Sequence, residues 1–291
     1  MIRVLTPELA AIAKNELNED PNRTTEDLLN LKEWLSKQPH LKARSDDQWL
    51  ISILRGCKFS LERAKKKLDL YYTLKTTASD ITLRLKPTEP KFVEFLRQGT
   101  CLILPKSKST LYPRVILIRG GVYDPNKNNV AEIMCIMYYL LQILLMEDDS
   151  ATIVGVKILV DYQGITIAHL SQANPSLLKK MVVLAQDATP LRSKGSHHLN
   201  IPPGIEVIFT LIQNFLTEKA KQRIQIHKTS EDLLRVFPED VIPVEYGGTG
   251  GTISEIIEYW VKKMDEYQPW LEKEVHLGTD ESKRPGNPLT E

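Results

Sequence analysis

Cysteine is scarce in this 291-residue sequence, and what there is does not pair. Cys57, Cys101 and Cys135 are odd in number, far apart and outside any C-x-x-C spacing. That argues against a disulfide framework and fits free thiols in a reducing compartment. An excess of one charge is lacking too: 38 Lys and Arg face 37 Asp and Glu, for a formal net charge of +1. So balanced a chain has no global pull toward nucleic acid, and an anionic partner must be met by a local patch. The first twenty residues hold no uninterrupted apolar stretch, so no signal peptide is read there and the cytoplasm is the expected compartment.

Catalytic signatures are equally sparse. Neither a G-x-S-x-G elbow nor H-E-x-x-H occurs. His197 and His198 are adjacent, so on a strand they point to opposite faces and make a poor chelate. Gly247-Gly248-Thr249-Gly250-Gly251 invites a nucleotide-binding reading. Ile253 breaks the G-x-G-x-x-G spacing, however, and Pro-Val-Glu-Tyr precedes the glycines in place of an apolar strand; a tight turn is expected. Asp161 ends a strand and could be a catalytic carboxylate, but no base or metal cluster matches it, and it reads as structural. No catalytic residue, metal or cofactor is expected. A lipid-modifying enzyme stays as the least favoured alternative.

Long apolar runs are limited to one. Val130 to Met146 (VAEIMCIMYYLLQILLM) has Glu132 and Gln142 as its polar interruptions over 17 residues. A bilayer span needs roughly 17–25 residues. Glu147, Asp148 and Asp149 follow at once and no basic flank orients the segment. It is expected to be a helix buried on nearly all sides, not a transmembrane segment.

The remaining pattern divides the chain. Residues 1–95 read as helical. Thr24-Thr25-Glu26-Asp27 opens one helix with Leu28, Leu31 and Leu35 inward, and Pro39 stops it. Asp46-Asp47 opens a second, with Trp49, Leu50, Ile53, Leu54 and Cys57 in one stripe. Ser60 caps a third that turns Leu61, Ala64, Leu68, Tyr71 and Tyr72 inward and the run Lys65-Lys66-Lys67 outward. From 96 to 274 strands alternate with helices. The strand candidates are Thr100–Leu104, Arg114–Arg119, Ile153–Asp161, Gly195–Ile201 and Arg223–His227. Helices are expected at 130–146, 176–188 and 205–216, and a last one from Thr252 to Glu274. This alternation predicts an α/β domain with a mostly parallel sheet. Residues 275–291 are expected to be a disordered tail.

Ile205 to Leu216 (IEVIFTLIQNFL) is the segment that bears on function. Its apolar positions cover an arc of about 200°, where a surface helix needs a stripe of about 100°. Two readings stand: a helix sunk between elements, or a lid with one flank over a cavity and the other toward a membrane. Pro202-Pro203-Gly204 forms a stiff-then-loose hinge before it. Arg192 and Lys194 precede it, and Lys219, Lys221 and Arg223 follow. Cations framing an apolar helix suit an anionic membrane surface.

Several stretches resemble one family. DDQWLISILRGCKFSLERA and KLDLYYTLK are similar to the helical N-terminal segment of CRAL-TRIO lipid-transfer proteins, here about 46–78. GVKILVDYQGITIAHL, NFLTEKAKQRIQIHKT and FPEDVIPVEYGGT resemble the lipid-binding domain of that family, within its tocopherol- and retinaldehyde-carrying branches. The likeness runs from about Asp46 to Trp260. It implies a helical N-terminal cap, a sheet that floors a lipid cavity and a gating helix above it. It further implies peripheral, reversible attachment to membranes containing phosphatidylinositol phosphates, with headgroup contacts at Arg192, Lys194, Lys219 and Arg223. A further basic position of the family is Cys57 here, with Lys58 beside it to compensate.

Carried across, the ligand-facing positions are Cys135, Tyr138, Gln142, Val156, Val160, Ala173, Met181, Leu184, Ser196 and His198, with Ile208, Leu211, Ile212 and Phe215 from the gate. Ser196 and His198 stand where the family has large aliphatics, and Tyr138 and Gln142 where it has small hydroxyl residues. These four either satisfy one another or trapped water, or they grip a polar end of the ligand. The implied function is an intracellular carrier of a terpenoid-like molecule with an oxygen function: a tocopherol, retinoid, carotenoid or sterol. The alternative from another class is a phosphoinositide-binding regulatory or scaffolding module, a use that normally comes with extra domains.

Overall fold

Residues 156–161 carry apolar side chains on both sides of the pleat, the mark of a strand with neighbours on both edges. In the computed structural model, which describes residues 2–285, this run is the middle of a five-stranded sheet. In chain order the strands are β1 (Leu41–Lys42), β2 (Cys101–Ile103), β3 (Arg114–Arg119), β4 (Val156–Asp161), β5 (Ser193–Leu199), β6 (Ile224–His227) and β7 (Gly278–Thr279). Strands β2 to β6 lie side by side in that order. β2 is antiparallel to β3, and the other neighbours are parallel. The fold is α/β, as the alternation predicts.

Strand edges shift where the backbone turns. The strand expected from Ile153 begins at Val156, because Ser150–Ile153 closes into a helical turn and Gly155 makes the corner at φ 110°. A Cβ on Gly155 would lie 2.4 Å from the Arg192 carbonyl, so glycine is what lets β4 start beside β5. The strand expected over 195–201 runs from Ser193 to Leu199 instead. Asn200 ends it in the left-handed region (φ 56°), its amide donating to Asp161 Oδ1 at 2.8 Å.

The long apolar segment is the Val130–Glu147 helix, started by a capping box between Asn129 and Glu132. Among the described residues it is the one helix long and apolar enough to cross a bilayer, and it is instead enclosed in protein. The N-terminal part supplies the helices Pro7–Leu17, Thr24–Ser36, Asp47–Gly56, Leu61–Thr77 and Pro90–Arg97, of which the third and fifth pack on it. Asp46 caps the third of these, accepting from the Trp49 amide at 2.9 Å. Ser60 stands at the next N-cap, but its side chain makes no capping bond. The Pro7–Leu17 helix has no counterpart in the sequence reading; Leu9, Ala13 and Leu17, four residues apart, pack it on Ile153 and Val154. Lys67 also differs from expectation. Its ammonium turns inward and donates to the carbonyls of Asp187 and Thr189, the free end of another helix.

The boundary expected near residue 95 does not interrupt the core. Trp49, Leu68 and Tyr72 from the helical part share one cluster with Leu117, Leu140 and Trp260. Arg55, 1% exposed, reinforces the junction by pairing with Asp149 at 2.7 Å and Glu19 at 2.8 Å.

The tail also differs. The last helix, Ile253–Val275, is followed by β7, which pairs with β1. Arg284 Nη1 then donates to both Asp69 carboxylate oxygens, at 2.7 and 2.9 Å, and Nη2 donates to Thr73. Residues 278–284 are therefore seated, held by backbone pairing and the Arg284–Asp69 ion pair rather than by apolar burial, which is why composition suggests disorder. Residues 286–291 of the expected tail lie outside the described residues.

Candidate functional site

Parallel register puts Ile158 beside Ser196 and Val160 beside His198 on one face of the sheet. Ile118 of β3 and Ile224 and Ile226 of β6 extend that face. Val115, Leu117, Leu159, His197 and Leu199 point the other way and are buried. On the first face Ile118, Ile158, Val160, Ser196 and Ile224 stay half-buried, and Ile226 is 65% exposed. The result is an apolar floor that the protein itself does not fully cover.

Glu206–Phe215 lies over this floor as a helix. Phe209 meets His198 edge-on, with ring centres 4.9 Å apart, and Tyr162 at 6.0 Å. The helix leans on its neighbour Pro175–Val183. Ile208, Phe209, Leu211, Ile212 and Phe215 are each only half-buried, and Val207 is 67% exposed. Of the two readings of this segment, the helix sunk between elements is the one the burial does not match. Gly204, at φ 89° and with nothing within 4 Å of where a Cβ would be, leaves the approach to the helix unhindered.

A polar chain crosses the floor. Ser196 Oγ lies 2.5 Å from His198 Nε2, and His198 Nδ1 lies 2.9 Å from the Tyr162 hydroxyl. Burial pushes His198 down to about 4, so it is neutral at pH 7. Burial likewise pushes the Tyr162 hydroxyl well up.

A second group forms around the core helix. Cys135, Tyr138 and Gln142 fall at i, i+3 and i+7 on one helical face. Gln142 is 2% exposed, and neither its carbonyl oxygen nor its amide nitrogen has a partner. It borders a void of about 20 Å³ with Tyr138, Leu184 and the cap residue Tyr71. Tyr71 donates to the Tyr138 hydroxyl at 3.2 Å. Leu184 begins a π-helical turn, Leu184–Ala188, in place of the straight helix expected to 188.

The carried-across positions therefore divide. Val160, Ser196 and His198 lie on the floor under the gate residues, while Tyr138, Gln142 and Leu184 surround the void. The Cys135 thiol turns to the Leu85 and Thr82 carbonyls instead, 3.4 and 3.8 Å away. Val156 is buried at the start of β4, and Ala173 and Met181 are half-buried at and beyond the entry of the Pro175–Val183 helix. Ser196 and His198 hydrogen-bond to each other, whereas Gln142 has no partner among the described residues. Sequence reasoning missed Tyr162, Phe209 and Tyr71. Tyr162 was within reach, being two residues past Val160 and so on the same face.

The cationic positions gather beside β5. Arg192 donates to the Ile153 carbonyl at 2.6 Å and to Glu16 at 3.0 Å, and Arg223 donates to the Ser193 carbonyl. Lys194 is pushed below the ordinary lysine range by burial first and then by Arg192, Arg223 and Lys219, against the pull of Glu16. Glu16 is held low by its bond from Arg192, then by Lys194 and Lys58. Three basic residues, Arg192, Lys194 and Lys58, thus act on the Glu16 carboxylate, and Arg223 and Lys219 act on Lys194. Lys219 and Arg223 do not share a helical face: the Glu218–Lys221 helix stops, and Arg223 arrives from the entry of β6. Cys57 is fully buried and takes no part in this surface.

Other chemistry is accounted for. Asp161 accepts from Tyr246, Asn200 and the Gln163 amide, a structural post. His197 and His227 stack on the far side of the sheet, Nδ1 to Nε2 2.9 Å. Among the described residues no group of three or more His, Cys, Asp or Glu is placed to hold a metal. A cleft of about 510 Å³ opens elsewhere, at the β2 edge between Lys106, Arg114, Tyr259 and Trp260. Its cations are already paired with Asp148.

Comparison with known proteins adds an independent finding. The CRAL/TRIO domain profile matches residues 99–248, and a Pinta-like UBA domain profile matches residues 20–92. The "Alpha-tocopherol transfer protein-like" protein of Homo sapiens is 31% identical over 254 residues, covering 86% of this chain and 72% of its own length. "Clavesin-1" of Xenopus laevis is 27% identical over 247 residues, covering 84% of this chain and 74% of its own. Among solved structures, "Crystal structure of Sfh5" aligns with a TM-score of 0.48 at 12% identity, covering 91% of this chain and 99% of that one.

Proposed function

The chain belongs to the CRAL/TRIO family of lipid-binding and lipid-transfer proteins, and on that premise we propose that it is a carrier rather than an enzyme. Its cargo is a hydrophobic terpenoid-like molecule with an oxygen function, such as a tocopherol, retinoid, carotenoid or sterol. It takes up and releases this cargo from the cytoplasm at membranes containing phosphatidylinositol phosphates.

The observation that carries the reading is the pair of apolar surfaces that face each other without burying each other. The sheet floor stays half-exposed at Ile158 and Val160, and so does the helix above it at Ile208, Leu211 and Ile212. Apolar surface left open inside a protein is stabilised by an apolar guest, at about 25 cal/mol per Å² covered. The names of its relatives, one of them tocopherol-transfer-like, agree with such a guest. Beside the gate, Arg192, Lys194, Lys219, Arg223 and Lys58 offer the convergent donors that a phosphorylated inositol needs.

Organic extraction of the purified protein with mass spectrometry, and transfer to vesicles with and without 5% phosphatidylinositol bisphosphate, tests both halves. A retained isoprenoid oxygen compound is expected; finding only saturated hydrocarbon or diacyl phospholipid would refute the cargo. Lys219→Ala with Arg223→Ala should abolish the stimulation by the phosphoinositide, and unchanged stimulation would remove the headgroup site. No retained lipid together with intact phosphoinositide binding would favour a regulatory module.

A further inference from the structure

Ser196, His198 and Tyr162 make a chain of three hydrogen-bonding side chains beneath Phe209, and its proton count is informative. A neutral imidazole brings one N–H and one lone pair. With the proton on Nδ1, it donates to the Tyr162 oxygen, Ser196 donates to Nε2, and the Tyr162 O–H is left over. With the proton on Nε2, it donates to Ser196, Tyr162 donates to Nδ1, and the Ser196 O–H is left over. Either way one hydroxyl hydrogen is unspent, and moving the imidazole proton moves the spare from one end to the other.

The surroundings say what can use it. Ser196 and Tyr162, the two ends, are half-buried, whereas His198 in the middle is buried. No Lys or Arg is bonded to the chain among the described residues. The titratable neighbour that acts on His198 is His227, on the opposite face of the sheet and itself pushed below the ordinary histidine range by burial. The space under the gate therefore offers one hydrogen to give, lone pairs to accept, and no counter-charge.

Resting on the carrier reading above, we propose that this chain selects cargo whose polar end is a single uncharged oxygen, an alcohol or a carbonyl. Ser196 and Tyr162 are then the specificity-determining residues, and His198 decides which of them donates. A carbonyl takes the spare hydrogen. An alcohol takes it and returns its own to a lone pair in the chain. A carboxylate would be desolvated without a cation beside it. A pure hydrocarbon would leave the spare hydrogen unmet.

Four probes of one skeleton test this with the full chain at pH 7.5: all-trans-retinol, all-trans-retinal, all-trans-retinoic acid and axerophtene, the terminal-methyl hydrocarbon. Alcohol and aldehyde should bind within a few-fold of each other and roughly 10- to 100-fold tighter than acid or hydrocarbon. Tyr162→Phe and Ser196→Ala should each cost the alcohol and aldehyde about tenfold while leaving the hydrocarbon unchanged. Acid binding as tightly as alcohol, or either variant weakening all four probes alike, overturns the proposal while the carrier reading stands. Retention of none of the four, together with no lipid in the organic extract of the purified protein, overturns the carrier reading and this one with it.

Discussion

Two helices in this protein are nearly as greasy as each other and meet opposite fates. Val130–Glu147 is enclosed from Ala131 to Leu145, with Ile136 and Leu140 wholly inaccessible. Glu206–Phe215 is apolar over an arc about twice what a surface helix needs, yet none of its described side chains reaches full burial. Composition alone would place both in a core. The difference lies in what surrounds them. The first has helices and the β2 side of the sheet packed around it; the second has the Pro175–Val183 helix and an uncovered floor. Greasiness that the fold does not use is the trace of something the fold is built to hold.

The sharpest way to break that comparison is to truncate both helices alike. Leu140→Ala should lower unfolding free energy by about 2–5 kcal/mol, since a rigid core cannot close the cavity it leaves. Ile212→Ala should lower it by about 1 kcal/mol or less, while speeding release of bound ligand. Urea denaturation with a parallel dissociation measurement checks both. Equal stability losses would mean that the gate is ordinary core after all.

Acid sharpens the comparison from the gate's side. His197 and His198 are both pushed from 6.5 to about 4 by burial, so the unfolded chain binds protons that the folded one refuses. Stability is therefore unaffected above about pH 6.5 and falls as pH drops from there toward 4, by a loss on the order of 3 kcal/mol for each histidine. Asp148 does not blur this window. Burial alone would raise it, but Arg114 and Lys106 hold it to about 2, so its loss comes at lower pH. His198→Phe should flatten the pH 6.5–4 slope of the urea midpoint by about half. A slope that stays the same would show that His198 is already solvated under the gate.

How much of this is legible in the sequence follows from which forces are local. Strand–helix alternation, the buried helix and the Glu206–Phe215 helix are written in periodicities of two and 3.6 residues, and all three are found where the pattern puts them. The Pro7–Leu17 helix is hard to read in the sequence because its inward stripe is only Leu9, Ala13 and Leu17, though four-residue spacing suffices once Ile153 and Val154 lie beneath. The seated tail depends on a strand pairing across more than 230 residues, and on Arg284 meeting Asp69. Nothing local encodes either. For the site, family likeness supplied Ser196 and His198 but not Tyr162, whose role exists only because β4 and β5 run parallel in one register. Lys58 can be placed by the structure alone: it lies close enough to Glu16 to lower that carboxyl, a neighbour distant in the chain.

The smallest expected effect lies on the gate's outer flank. Val207 is 67% exposed in water, with no packing to lose. Val207→Ser should therefore leave the urea midpoint within about 0.5 kcal/mol of the parent. If the gate enters the headgroup boundary while the cations beside it hold the lipid, Val207 exchanges water for acyl chain there. Covering even half of a valine side chain is worth about 1 kcal/mol, or roughly fivefold in vesicle affinity. Sedimentation with anionic vesicles at two salt concentrations separates this from charge, because screening weakens the contribution of Lys219 and Arg223 and leaves that of Val207 in place. A fivefold loss at both salt concentrations puts the outer flank in the membrane. Parent-like affinity at both would mean that the membrane is met by the cations alone and that the gate opens without entering it.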